Sequence, residues 1–392
     1  MKIKHMNHLQ LYIHTPFCVK KCDYCDFLSF AADTKTQARY VNALLEEIRY
    51  YGKELRGYSV PTIYIGGGTP SWLDAEQVVA ILEQVYRSFS VRSDAEISIE
   101  CNPGTVTAGK LAAYADVGIN RLSIGLQSAD NEELKLLGRI HTYEQFLKTY
   151  EMARTAGFQN INVDLISGLP YQTAEGFANS LQQMIRLKPE HISAYTLIVE
   201  KGTPFYERYK FDAVRQEAGL PTEVLPNEDE AYRIYKLTQL VLRKAGYIQY
   251  EISNYAKPGF ACRHNVGYWT RENYLGLGLG AASLIENVRF SNTRDLYDYL
   301  DGAGQPGGLR VEEDVLTKKA QMEEFMFLGL RLTAGVARSD FEECFGMPIE
   351  SVYRDVIDNL KKQKLLKTAE GRIALTDKGM DLANYCMAQF LQ

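Results

Sequence analysis

Three cysteines, Cys18, Cys22 and Cys25, follow one another at spacings of four and three residues. Chance produces a fixed three-cysteine spacing in on the order of one sequence in several hundred of this size and cysteine content. The chain holds seven cysteines, an odd number, and its start, Met1-Lys2-Ile3-Lys4-His5-Met6-Asn7-His8, has no apolar stretch of the kind a secretory leader needs. A disulfide framework is therefore disfavoured, and metal ligation or thiol chemistry is favoured. Thiolates are soft ligands suited to zinc or iron–sulfur clusters. Cys101, Cys262, Cys344 and Cys386 are isolated, so no second cysteine knuckle completes a structural zinc site. Three cysteines leave one iron of a four-iron cubane open, and an open iron is where a small molecule can chelate.

The cysteines follow an apolar run at 9–14, the first of six candidate strands; the others are 62–66, 95–100, 121–125, 161–165 and 191–195. Helical patterns separate them at 35–55, 74–89, 107–117, 131–137 with 143–156, and 173–187. This alternation predicts right-handed β/α crossovers around a parallel sheet. Six units fall short of eight, so the expected fold is α/β, a partial (β/α)6 barrel. In such barrels the loops after the strands converge on one face. Residues 15–25, 66–70, 100–103, Gln127 and 164–170 should then meet in space.

Past residue 200 the pattern changes: a helix at 227–245, a strand at 247–252, then a stretch rich in Asn, His, Tyr, Trp and Gly up to Ser283. The Gly- and Pro-rich segment 301–308 reads as a linker to a mainly helical end with a short hairpin at 365–375, which resembles a winged helix. The expected organisation is a barrel core over 1–200, a barrel extension over 201–300 and a C-terminal helical, winged-helix-like domain over 309–392. The glycine string 275–283 lacks the setting of a dinucleotide fingerprint and reads as a tight turn near the cysteine side of the barrel. Cys101, Cys344 and Cys386 are expected to pack as small apolar side chains.

Charge argues against one class of partner. Forty-four Lys and Arg against forty-nine Asp and Glu give a net charge of −5, and Glu323, Glu324, Glu342 and Glu343 lie near the one short basic run at 361–364. Nucleic-acid binding is not expected. No apolar run is long enough for a membrane span, so the expected location is cytoplasmic, with no transmembrane anchor.

The Cys18-x3-Cys22-x2-Cys25 pattern, with Tyr24 before the last cysteine, resembles the radical S-adenosylmethionine superfamily. The resemblance implies a 4Fe-4S cluster held by Cys18, Cys22 and Cys25, whose unique iron binds S-adenosylmethionine. Glycines in Gly66-Gly67-Gly68-Thr69-Pro70 remove the Cβ that would keep backbone amides from the methionine moiety. Tyr12-Ile13-His14-Thr15-Pro16-Phe17-Cys18, Ser98-Ile99-Glu100, the block from Arg121 to Ser128 and the block from Asn162 to Pro170 narrow the resemblance. Together they are similar to the oxygen-independent coproporphyrinogen III oxidase family, from about residue 10 to the end. That family implies Tyr12, Gly67, Glu100 and a segment near Ala281 around the first S-adenosylmethionine, and Tyr24, Gly68, Thr69, Gln127, Arg139 and Asp164 facing a second.

Two features point to the haem-chaperone branch of that family rather than to its oxidases. Phe27 stands where the oxidases carry a further cysteine, and only eleven residues precede Tyr12. Lys21 before Cys22, and the HNxxYW match within Arg263-His264-Asn265-Val266-Gly267-Tyr268-Trp269, agree with that branch. His264 offers an imidazole to a haem iron, and Tyr268 and Trp269 offer flat faces to a porphyrin. Taken alone, His264 reads as a buried core histidine. The branch implies haem as ligand and apo haem proteins as recipients, and leaves open a homodimer and peripheral membrane contact through a partner. The alternative is the enzyme: radical oxidative decarboxylation of coproporphyrinogen III to protoporphyrinogen IX.

Overall fold

The computed structural model describes residues 8–391; the basic start of the chain, read above as lacking a leader, lies outside them. Along the strands of the first half every second residue is apolar. In β1 (Gln10–Thr15) these are Leu11 and Ile13, in β2 (Ser59–Gly67) Ile63 and Ile65, and in β3 (Ser90–Cys101) Ile97 and Ile99. In β4 (Arg121–Gln127) they are Leu122, Ile124 and Leu126, in β5 (Ile161–Ser167) Val163 and Leu165, and in β6 (His191–Thr196) Ile192. Successive side chains of a strand point to opposite faces, so these residues form one apolar face, and all of them are buried in a single core. Each removes roughly 1.5–3 kcal/mol of unfavourable hydration when covered.

Helices do the covering. They are α1 (Thr34–Glu54), α2 (Ala75–Ser88), α3 (Ala108–Asp116), the pair α4 (Asn131–Leu136) and α5 (Tyr143–Thr155), and α6 (Ala174–Leu187). Their starts are set by side chains that accept from otherwise unpaired helix N–H groups: Asp33 for α1, Thr107 for α3, Asp130 for α4, Thr173 for α6, and a Thr142–Gln145 capping box for α5. Further helices α7 (Pro204–Glu217), α8 (Glu228–Lys244) and α9 (Arg263–Trp269) follow β6.

The other face of the strands carries Tyr12, Tyr64, Glu96, Ser98, Glu100, Arg121, Ser123, Asn162, Asp164 and His191. This concave face is polar, unlike the branched apolar filling of a closed barrel.

The six expected strands are present and parallel, in the order β1 to β6. The expected strand at 247–252 shrinks to β7 (Ile248–Gln249), which pairs with β8 (Asn254–Ala256) at the edge beyond β6. The glycine string supplies what the periodicity hid: β9 (Tyr274–Leu277) lies parallel to β1, a seventh parallel strand. From it β10 (Ala282–Ile285), β11 (Val288–Asn292) and β12 (Arg310–Val315) continue the sheet antiparallel. The sheet stays open, with β12 and β7 as its edges.

Strand β12 also corrects the expected linker. Residues 302–304 and 306–309 form 3-10 turns, Leu309 packs in the main core, and the chain then rejoins the sheet as far as Val315. Apolar anchoring at Leu309 makes 301–308 part of the barrel extension, and the helical end begins after β12.

That end contains α10 to α14: Lys318–Gly329, Arg338–Phe345, Glu350–Lys362, Asp377–Asp381 and Ala383–Ala388. A small antiparallel sheet of β13 (Val336–Ala337), β14 (Leu366–Ala369) and β15 (Arg372–Leu375) completes the winged-helix-like shape. Its own core joins Met326, Phe341, Phe345, Tyr353, Ile357 and Phe390. Cys101 and Cys386 are buried as expected, but Cys344 is exposed because it lies on the outer face of its short helix.

Candidate functional site

The cysteine loop leaves β1 and is closed at its base, where Phe30 N–H donates to Pro16 O (2.8 Å) and Cys18 N–H to Phe30 O (3.0 Å). Its tip is pinned from two other elements. Asp23 N–H donates to Leu137 O (3.2 Å), Phe205 N–H to Asp23 O (2.9 Å), and Arg208 pairs with the Asp23 carboxylate at 2.7 Å. The three thiols are free and partly accessible. Among the described residues no three His, Cys, Asp or Glu side chains converge on one ion. A cubane makes no such demand, since each thiolate takes a different iron.

The loops after β2, β3 and β4 meet this loop. Gly68 N–H donates to Thr15 O (2.8 Å) and Thr69 N–H to Phe17 O (2.7 Å). The Thr69 hydroxyl is 3.5 Å from Cys18 Sγ and accepts from Asn102 Nδ2 at 2.7 Å. Arg139 reaches Cys22 Sγ at 3.5 Å, Asn102 Oδ1 at 2.7 Å and the Gly125 carbonyl at 2.7 Å. Tyr24 lies among these groups: burial, then the nearby charges of Cys22, Cys25 and Asp164, push its hydroxyl up, while Arg139 opposes them. Burial is also the largest cause raising the Cys25 thiol.

Below the rim, Glu100 accepts from Tyr64 OH at 3.0 Å and from Gly67 N–H at 3.1 Å. Burial first, and then the charge of Asp164, raise Glu100 to about 7. Asp164 accepts from Ser123 Oγ (2.9 Å) and Asn162 Nδ2 (2.8 Å) and is raised mainly by burial. Tyr12 OH meets His14 Nδ1 at 3.0 Å, and His14 Nε2 meets the Leu28 carbonyl at 2.9 Å.

Two backbone positions are demanding. Gly67 has φ +114°, and a Cβ there would run into the His14 ring. Gln127 holds φ +75° at a register irregularity between β4 and β5, an uncommon conformation for a side chain other than glycine.

The segments expected to meet therefore do so, and Tyr12, Tyr24, Gly67, Gly68, Thr69, Glu100, Gln127, Arg139 and Asp164 all lie on the concave face or its rim. Ala281 follows β9, beside β1. The donor set fits the implied groups: three free, partly accessible thiols on one loop, with the Glu100 and Asp164 carboxylates beneath them. Sequence reasoning missed Asn102 as the tie between Thr69 and Arg139, and Asp23 as the loop's anchor. Asn102 lay within the expected window 100–103, but a neutral amide carries no chemical signal of its own.

His264 differs from its expected role. It is 1% exposed, with Nδ1 2.9 Å from Thr62 Oγ1 and Nε2 3.1 Å from Tyr268 OH. Its backbone N–H donates to Glu96 (3.1 Å), and its ring lies 5.3 Å from that of Tyr64. Burial, and then Arg121, lower its pKa to about 3. Short helix α9 plugs the floor of the barrel, so in this structure neither ring nitrogen is open to an iron. Cys262 is likewise buried, with its thiol 3.5 Å from Glu96. Trp269 stacks under Arg331, 4.3 Å from ring centroid to guanidinium carbon, leaving that face closed to a porphyrin.

Residues 12–184 match the model of the radical SAM superfamily, and residues 316–382 match that of the HemN C-terminal domain. A protein of Lactococcus lactis named heme chaperone HemW is 38% identical over 97% of this chain and 96% of its own length. The protein of that name from Escherichia coli is 36% identical over 98% of both. The chain belongs to the HemW family. A mouse relative, radical S-adenosyl methionine domain-containing protein 1, mitochondrial, is 38% identical over 85% of the chain and 75% of its own length. Among solved structures, the Escherichia coli coproporphyrinogen III oxidase HemN, described as a radical SAM enzyme, superposes with a TM-score of 0.84 at 26% identity. That likeness covers 98% of this chain and 90% of HemN. The radical SAM fold of a HemW family member thus accounts for the open sheet, the position of the cysteine loop and the C-terminal module.

Proposed function

We propose that this chain is a haem chaperone that carries a 4Fe-4S cluster with S-adenosylmethionine, binds haem and delivers it to apo haem proteins. The observation that carries the proposal is near-full-length similarity to proteins named heme chaperones, at 38% identity over 97% of the chain. Cys18, Cys22 and Cys25 are the proposed cluster ligands. Tyr12, Gly67 and Glu100 would border the first S-adenosylmethionine; Tyr24, Gly68, Thr69, Gln127, Arg139 and Asp164 would border a second. When bound, the cluster supplies an electron-transfer centre with one chelating iron. The chain's own contributions are positional. Arg139 and Thr69 donate toward thiolates, Glu100 presents a carboxylate to an ammonium group, and Gly67 and Gly68 allow backbone approach. We place the protein in the cytoplasm; among the described residues no helix is long and apolar enough to cross a membrane.

A second reading, coproporphyrinogen III oxidation, is favoured by the overall likeness to HemN. Phe27 speaks against it: this side chain, 70% exposed beside the cysteines, occupies the position of the further cysteine expected of the oxidases. The deciding experiment is anaerobic reconstitution with iron and sulfide, followed by haem titration and transfer to an apo haem protein, with coproporphyrinogen III plus S-adenosylmethionine assayed in parallel. Stoichiometric haem binding with transfer, and no protoporphyrinogen, supports the chaperone. Decarboxylated product without specific haem binding assigns the enzyme instead. Replacing Cys22 by Ala should abolish bound iron in either case, read as iron per chain.

A further inference from the structure

The turn that carries two of the three thiols is held by a helix far along the chain. Cys25 N–H donates to Cys22 O at 3.2 Å, which makes Cys22 to Cys25 a single turn with Asp23 and Tyr24 at its corners. Both corner residues are tied to α7. Asp23 O accepts the Phe205 N–H at 2.9 Å, and the Asp23 carboxylate accepts from Arg208 Nη2 at 2.7 Å. Tyr24 packs on the small apolar cluster of Leu137, Ile166, Leu169 and Phe205. The segment after α4 completes the grip: Asp23 N–H donates to Leu137 O at 3.2 Å and Arg208 Nη1 to Leu136 O at 3.4 Å. Gly138, at φ +71°, leaves open the space where a Cβ would come within 2.7 Å of the Asp23 carboxylate. Arg139, next in the chain, reaches Cys22 Sγ at 3.5 Å.

The dependence also runs from helix to loop. The first N–H groups of a helix have no partner inside it. In α7, Pro204 has no N–H, and the Tyr206 N–H is taken by the Thr203 hydroxyl at 3.1 Å. The Phe205 N–H finds its acceptor in the cysteine loop. The apolar anchoring of α7 is equally local. Among the described residues none of α7 enters the main core, and Phe205 is its fully buried member of the small cluster. A helix held outside the main core opens at lower cost than the strands beneath it, so contacts with the cysteine loop weigh heavily in keeping it docked.

We infer that Asp23 is a positioning residue through which α7 holds the Cys22–Cys25 turn in place for a cluster, so that filling the cluster site and docking α7 stabilise each other. Linkage makes the two effects reciprocal: what tightens the turn tightens the helix, and the converse. The inference rests on the proposed role of Cys18, Cys22 and Cys25 as cluster ligands.

The test uses the full chain, with and without anaerobic reconstitution by iron and sulfide. Hydrogen exchange of the α7 amides is compared between the two forms, and release of iron to a chelator is timed in the loaded one. Loading should slow exchange across α7 about fivefold or more, with the amides of α2 unchanged. The Arg208 side chain is 45% exposed, so its pair with Asp23 is a weak one; Arg208→Gln should speed iron release about threefold, and Arg208→Lys should restore most of the wild-type rate. Added salt should speed release from wild type and change Arg208→Gln little, a difference that a general loss of stability does not produce. Phe205→Ala, which removes the apolar anchor of α7, should speed release roughly tenfold or more; if it fails to fold, Arg208→Gln still answers the question. Equal α7 exchange with and without the cluster in wild type, or unchanged iron release in folded Arg208→Gln and Phe205→Ala, overturns the inference. A wild-type chain that takes up no iron overturns the cluster assignment, and the inference with it.

Discussion

His264 shows how one residue's chemistry depends on what its two ring nitrogens meet. A histidine within an aromatic-rich motif suits a haem iron, yet hydroxyls from Thr62 and Tyr268 occupy both nitrogens here. The expected outcome of His264→Ala is therefore a loss of stability of about 2–4 kcal/mol, from the cavity and the two orphaned hydroxyls. Chemical denaturation measures it, and haem affinity should stay within twofold of wild type; a large selective loss of haem affinity would show that α9 moves to expose the ring. The cysteines were legible because their spacing is improbable and their chemistry narrow. Glu100 and Asp164 were named only through motif resemblance, and the buried Arg121 escaped notice, because a lone Arg at a strand start is most often a surface residue.

Elements were read most surely where an apolar face repeats every second residue, as in β1, β2, β4 and β5. Strand β9 escaped because glycine contributes nothing to such a pattern, and Gly276 and Gly278 earn their place only through close approach to neighbouring backbone and Tyr40. The tie between this strand and α1 was also invisible. Glu47 is fully buried on α1 and accepts from Gly278 N–H (2.9 Å), Asn292 Nδ2 (2.6 Å) and Tyr299 OH (2.6 Å). Burial raises Glu47 to about 7 against these three donors. A carboxyl raised in the folded state binds a proton more tightly there than in the unfolded chain, so its contribution is present below pH 4.5 and is lost as pH rises toward 7. The loss amounts to about 3 kcal/mol. Unfolding midpoints at pH 5 and pH 7.5 should differ less in Glu47→Gln than in wild type; an unchanged difference would show that Glu47 does not titrate in this window.

At the scale of the whole molecule, the two cores are joined by a small, partly buried ion cluster. Glu324 of α10 pairs with Arg271 at 3.0 Å, just after α9, and with Arg289 of β11 at 2.8 Å. Glu324 and Arg271 are 8% and 9% exposed, so removing the carboxylate strands the buried Arg271, while Arg289, 41% exposed, stays in contact with water. Glu324→Ala should cost roughly 3 kcal/mol and open the chain near residue 316 to limited proteolysis; equal protection in the variant would show that apolar contacts alone dock the module. The same junction explains why the boundary was misplaced at 301–308: glycine and proline mark turns whether the next residues leave a sheet or rejoin it. Local chemistry and periodicity determine the cysteine loop, the parallel β/α order and the family blocks, since each depends on residues near one another in the chain. Tertiary structure decides the rest. It sets the seventh strand, the closed floor around His264, the buried Arg121 and the buried Glu47, because burial arises only when distant segments remove water from one another.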